Sequence, residues 1–138
     1  MAHKIFIDGG SGTTALALKQ VLLPFIDKNI IEFVEIEDPK NITQRQQASL
    51  NADLVILCLP DTVTQQTIPF LEQHSIRTID ASSAHRAKPL FDKNWVYGFP
   101  ELSDTQPDKV RNAQFVTNPG CYATGALSIL KPHKKFFS

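Results

Sequence analysis

Short apolar, β-branched segments alternate along this chain with longer stretches of helical spacing. Lys4-Ile5-Phe6-Ile7-Asp8 stops at Gly9-Gly10-Ser11-Gly12, which predicts a first strand ending in a turn. Leu16, Leu18, Val21, Leu22 and Phe25 then recur at roughly three- and four-residue intervals, the spacing of one helix face. Pro24 is expected to cut or kink that helix near its end, because proline has no N–H and its ring crowds the preceding turn. Ile31 to Ile36 reads as a second strand and Asp53 to Cys58 as a third. The unbroken apolar run inside the third predicts burial on both faces. Thr62 to His74 reads as a helix with Pro69 inside it. Further strands are expected at 77–80 and 114–117, with a weaker one at Trp95-Val96-Tyr97, and Cys121 to Leu130 is the last helix.

Strand, glycine loop, helix and strand, repeated, is the pattern of right-handed crossover units. The expected fold is therefore α/β: a Rossmann-like, mostly parallel sheet with helices on both faces. No repeat of 20–50 residues and no low-complexity tract interrupts it. Residues 81–113, with Pro89, Pro100 and Pro107, form a long irregular stretch, and such stretches more often carry function or cap a core than fill it. At 138 residues the chain suits one domain, able to bury roughly 68–70% of its unfolded surface.

Charge and composition narrow the function. Fourteen Lys+Arg stand against fourteen Asp+Glu, so no basic excess exists to neutralise nucleic-acid phosphates. The longest strongly apolar run, Leu54 to Leu59, is far below the roughly 20 residues that span a bilayer. Asp8 and the Gly/Ser/Thr run follow Ile7 at once, which excludes a signal peptide's apolar stretch from the first 20 residues. Two Cys without a spaced pattern argue against a disulfide scaffold or a metal site and point to the reducing cytoplasm. The expected partner is a small molecule, with no nucleic acid, membrane or metal.

Three places carry candidate chemistry. The first is Gly9-x-x-Gly12-x-x-Ala15, between strand and helix. Glycines let backbone N–H groups approach a pyrophosphate, and the helix start adds about half a positive charge. Ser11, Thr13 and Thr14 add hydroxyl donors; an ordinary strand-to-helix turn is the less favoured alternative. An acid near the end of strand two binds a ribose 2′-hydroxyl in many dinucleotide domains. Glu35, Glu37 and Asp38 crowd that place, but Lys40 and Arg45 follow and could pair with a 2′-phosphate instead. NAD and NADP both stay open, as does a simple solvated loop.

The second is Asn118-Pro119-Gly120-Cys121-Tyr122-Ala123-Thr124-Gly125. It puts Cys121 at or just inside a helix N-terminus, where a thiolate forms more easily. A helix end is worth about 0.3–2 kcal/mol, and a pKa unit about 1.36, so a basic or cationic partner should help. Cys58, inside an apolar strand, is expected to be core filler. The third is Asp80-Ala81-Ser82-Ser83-Ala84-His85-Arg86, after a strand's carboxyl end. Arg86 could grip a phosphate or carboxylate with both its prongs. His85 reads as a loop residue ahead of an acid–base group, and Trp95 and Phe99 read as packing.

These motifs, together with Leu57-Cys58-Leu59-Pro60 and Tyr97-Gly98-Phe99-Pro100-Glu101-Leu102, occur in an order that resembles N-acetyl-gamma-glutamyl-phosphate reductase of arginine biosynthesis, in its shorter second type. The likeness runs from about Ile5 to Leu130. It implies nicotinamide-dependent reduction of an acyl phosphate to N-acetylglutamate 5-semialdehyde through a cysteine thioester, with NADP as the cofactor and NAD not excluded. It implies Cys121 as nucleophile, Gly9, Ser11, Gly12, Thr13 and Thr14 as the cofactor loop, and Arg86 at the substrate's phosphate. By the same resemblance, residues 1–130 are the dinucleotide-binding domain ending in the nucleophile helix. Residues 131–138 are a short tail where a second, substrate- and dimer-forming domain would begin. The family's acid–base histidine lies in that second part. The tail reads as an artificial end or a reading-frame break, which makes a family-type homo-oligomer doubtful and the isolated chain inactive. The alternative is a catalytically inactive NAD(P)-binding fragment or module.

Overall fold

The computed structural model describes residues 1–136. Its frame is a six-stranded sheet, every neighbouring pair parallel, in the order β2-β1-β3-β4-β6-β5. The strands are β1 His3–Asp8, β2 Ile31–Phe33, β3 Leu54–Leu57, β4 Thr78–Asp80, β5 Trp95–Tyr97 and β6 Phe115–Thr117. The helices are α1 Thr13–Asp27, α2 Ile42–Leu50, α3 Asp61–Gln73, α4 Gln106–Asn112 and α5 Cys121–Leu130. The expected Rossmann-like parallel α/β fold is thus the observed one.

Because side chains alternate along a strand, the sheet feeds two cores. On one face Phe6, Val55, Leu57, Trp95 and Phe115 pack with Ala48 of α2 and Ile68 and Leu71 of α3. On the other, Ile5, Ile7, Ile31 and Ile56 pack with Ala15 of α1. Val55 and Leu57 on the first face and Ile56 on the second are all buried, as the unbroken run in β3 predicts.

Several local expectations are corrected. β2 stops at Phe33, although Val34 still donates to the Ile5 carbonyl at 2.9 Å. Pro24 does not cut α1, which runs on to Asp27, whereas α3 runs through Pro69 to Gln73 as expected. The inward stripe of α1 is Ala15, Leu18, Leu22 and Ile26, while Leu16, Val21 and Phe25 are exposed. Two apolar rows compete on that helix, and the one continuing from the tightly packed Ala15 wins. The sequence pattern misses α2 and α4. Both are polar, so neither has the periodicity that reveals a helix.

What holds α2 is capping and one ion pair. Asn41 precedes it, and its Oδ1 accepts the Gln44 N–H at 3.1 Å, satisfying one of the donors a helix start leaves free. The Gln44 Oε1 accepts the Asp38 N–H at 3.0 Å. Asn41-x-x-Gln44 is thus the signal that could have revealed this helix.

Candidate functional site

Five strands end level. Asp8 pairs with Leu57, Leu57 with Asp80, Asp80 with Thr117 and Thr117 with Tyr97 across the sheet. The loops that leave this row carry the glycine loop, Arg86 and Cys121, and the segment after β2 carries the acids. The connections leaving β1 and β3 diverge, because β1 leads to β2 on one side and β3 to β4 on the other. Sheets of this kind bind ligands beyond the strand carboxyl ends at such a switch point.

Gly9 leaves β1 there with φ +86°, and a Cβ on it would lie 2.4 Å from the Cys58 carbonyl oxygen. Only glycine lets the first loop press against the end of β3 in this way. Gly12 N–H then donates to the Gly9 carbonyl at 3.0 Å, and Gly12 caps α1 with no side-chain bond and no acid in the first turn. The start of α1 therefore keeps donors for an anion. Gly9, Gly10 and Ser11 line a cleft of about 210 Å³ with Lys19, Phe33 and Glu35. Gly12, Thr13 and Thr14 form the exposed helix start beside it. A glycine seam, an uncapped helix start and a carboxylate at the end of β2 fit a dinucleotide.

The charged residues beyond β2 are sorted by their partners. Lys19 Nζ bonds Glu35 Oε1 at 3.0 Å and lies 5.5 Å over the Phe33 ring. Arg45 does not face the loop. Its guanidinium grips both oxygens of the buried Asp8 carboxylate, Nε at 2.9 and 3.1 Å and Nη2 at 2.8 Å, and its Nη2 also donates to Thr67 Oγ1 at 3.1 Å. This ties the end of β1 to α2 and α3. Asp8 gave no sign of this role in the sequence, since its partner lies 37 positions away.

The loop after β4 is fastened twice. The Asp80 carboxylate is fully buried; its Oδ1 accepts the Ser82 N–H at 2.8 Å and its Oδ2 meets His85 Nδ1 at 2.7 Å. The His85 ring stacks on Trp95, centroids 4.6 Å apart, and is only 5% exposed. The expectation of a plain loop histidine is corrected: His85 is a buried, carboxylate-paired pin. Trp95 is packing, as expected, buried between His85 and Phe115. At the outer side Asp61, the first residue of α3, accepts both the Ser83 hydroxyl and, at 3.0 Å, the Ser83 N–H. The hydroxyl first and the N–H second hold the Asp61 carboxyl below its ordinary range.

So fastened, the loop aims Arg86 at the second corner. Arg86 Nε donates to the Asn118 carbonyl and Nη2 to the Ala81 carbonyl, both at 3.2 Å. Its Nη1 lies 3.0 Å from where a Gly120 Cβ would be, so the guanidinium rests across Gly120. Gly120 caps α5, again with no side-chain bond, and Cys121 is the first helical residue. Arg86, Leu90, Tyr97, Gly120, Cys121 and Tyr122 line one open cleft of about 510 Å³.

The two thiols differ as expected. Cys121 is exposed and Cys58 half-buried. Burial first, then the Asp8 and Asp80 carboxylates, push the Cys58 thiol up. No group of three or more His, Cys, Asp or Glu among the described residues could hold a metal ion. No described helix is long and apolar enough to cross a membrane.

Comparison with known proteins agrees with this geometry. Residues 25–113 match the family model described as semialdehyde dehydrogenase, NAD binding domain. An N-acetyl-gamma-glutamyl-phosphate reductase of Burkholderia lata is 41% identical over 128 residues, which is 93% of this chain and 39% of that protein. One from Sinorhizobium medicae is 39% identical over 96% of this chain and 41% of its own length. The chain thus spans about two fifths of these relatives. Among solved structures, aspartate semialdehyde dehydrogenase II from Vibrio cholerae, complexed with ASA, superposes with a TM-score of 0.67 at 16% identity. That match covers 98% of this chain and 47% of the other, and it shows the fold alone.

Proposed function

Since this chain belongs to the semialdehyde dehydrogenase NAD-binding domain family, we propose that it forms the dinucleotide-binding and acyl-accepting part of an N-acetyl-gamma-glutamyl-phosphate reductase. The observation that carries the reading is the Arg86 guanidinium lying across Gly120 beside the exposed Cys121. An acyl phosphate needs both at once: a thiolate for its carbonyl carbon and a cation for the phosphate that leaves.

Cys121 Sγ attacks the acyl carbon, forming a C–S bond. The C–O bond to phosphate breaks, and Arg86 takes the charge of the departing anion. The uncapped start of α5 stabilises the oxyanion through backbone N–H groups. The product on the protein is a thioester of Cys121. A nicotinamide dinucleotide, when bound along Gly9, Ser11, Gly12, Thr13 and Thr14, supplies hydride for its reduction to the aldehyde. The resemblance implies NADP, whereas the acid at the end of β2 suits NAD. His85 is bonded to Asp80, buried, and absent from the lining of the Cys121 cleft, so the proton relay is not assigned to it. Domain limits follow the same reading, with 1–130 as the dinucleotide domain. Two unpaired cysteines suit a cytoplasmic setting.

Acylation needs neither hydride nor the relay, so it can be tested on this chain. Incubated with N-acetyl-gamma-glutamyl phosphate, the protein should gain one acyl mass on Cys121, sensitive to hydroxylamine and absent from Cys121→Ser. Steady turnover is a separate measurement, because it also needs a positioned acid–base group, worth about 10²–10⁴-fold in rate. No adduct from a folded protein that still binds dinucleotide would favour the second reading, an inactive nucleotide-binding module. That reading draws on α5, which buries none of its residues.

A further inference from the structure

Resting on the cofactor reading above, we propose that this chain selects a dinucleotide whose adenosine ribose carries a free 2′-hydroxyl, NAD, and that Glu35 makes the selection. Of the three acids beyond β2, only Glu35 lines the cleft with Gly9 and Ser11. Asp38 is turned to its own loop, where its Oδ1 accepts the Lys40 N–H at 2.9 Å and its N–H donates to Gln44. The Glu35 side chain is 68% exposed and meets Lys19 through Oε1, so its carboxylate stays accessible to a ribose hydroxyl at the position where a strand-two acid accepts one in such folds.

The cations that a 2′-phosphate requires are elsewhere. Arg45 is bound to Asp8 and Thr67 and lines a separate cleft between the end of β1, α2 and α3. Lys40 is not in the cleft lining. Lys19 is the one cation lining it among the described residues, and Glu35 already neutralises it at 3.0 Å. A 2′-phosphate entering here meets a carboxylate and must pull Lys19 away from it. A 2′-hydroxyl donates to that carboxylate and leaves the pair intact. Like charge at contact distance is thus the element that rejects the phosphorylated ribose, while hydrogen bonding welcomes the plain one.

Calorimetric titration of the chain with NAD, NADP and their adenosine halves, 5′-AMP and 2′,5′-ADP, tests this without turnover. NAD should bind at least about tenfold more tightly than NADP. Glu35→Gln, isosteric and at an exposed site, should bring the two within about threefold, chiefly by a gain in NADP affinity. Equal or tighter NADP binding by the unaltered chain would overturn the proposal and leave the cofactor reading standing. So would an unchanged ratio in Glu35→Gln. Selective loss of NADP binding in Lys19→Ala would assign the 2′-phosphate to Lys19, also against it. Failure of all four ligands to bind a chain with native circular dichroism would overturn the cofactor reading and this proposal together.

Discussion

Two helices of this chain begin alike and end up in different physical situations. Gly12 before α1 has φ −74° and ψ 158°, and Gly120 before α5 has φ −71° and ψ 151°; neither start has a side-chain cap or an acid in its first turn. Each presents bare N–H groups at the carboxyl edge of the sheet. Yet α1 sits on the core through fully buried Ala15, with Leu18, Leu22 and Ile26 below it. In α5 no residue is buried, and Tyr122, Ile129 and Leu130 are 92, 69 and 51% exposed. The same local device rests on a buried core in one place and on an open face in the other. Anion recognition by backbone needs only the helix start; a reacting side chain needs its surroundings as well.

The mounting can be broken on each side. At the end of β1, which leads into α1, Arg45→Ala leaves the Asp8 carboxylate buried without its partner and should destabilise the fold by about 3–5 kcal/mol. On the α5 side, Arg86→Ala removes bonds to two carbonyls near the surface and should cost about 1 kcal/mol or less. Urea unfolding of both variants would measure the contrast, and equal losses would show that the two corners are equally mounted. Next comes Gly9→Ala. With φ +86° and a Cβ 2.4 Å from a carbonyl oxygen, it should lose about 2–3 kcal/mol. Gly120→Ala only displaces the tip of Arg86 and should lose under about 1 kcal/mol.

Thiol reactivity sharpens the comparison with a smaller effect. Cys121 should alkylate at least about tenfold faster than Cys58, whose thiol is half-buried and pushed up by Asp8 and Asp80, since the thiolate is the reacting form. Mass mapping after brief labelling reads the ratio, and preferential labelling of Cys58 would contradict both environments. The smallest effect is at Asp61. Its carboxyl is lowered in the folded chain, so its bond to Ser83 adds stability above the ordinary carboxylate range and loses it as pH falls through the lowered value. Ser83→Ala should move the Asp61 titration, followed by NMR, upward toward an ordinary carboxylate. An unmoved titration would remove Ser83 as the cause.

Much of this was legible because it is local. Alternating apolar runs and glycine turns specify the parallel α/β plan, and Cys121 to Leu130 is a helix with the expected bounds, because Pro119-Gly120 breaks regular structure just before it. Gly9 announced a tight turn by its residue type alone. Polar α2 stayed hidden because what makes it a helix is an Asn41 cap and an Arg45 bond to Asp8, contacts that apolar spacing does not encode. His85 looked like a loop residue because its burial comes from Trp95, ten positions on, and Asp80, five back. Glu35 was open for a ribose hydroxyl and Arg45 for a 2′-phosphate until packing bound Arg45 to Asp8 and left Glu35 beside the glycines. The amino-acid order by itself determined which residue types could meet an anion, a thiol or a ribose. Only the folded sheet, by bringing five strand ends level, decided which of those charges cancel one another and which still face the cleft.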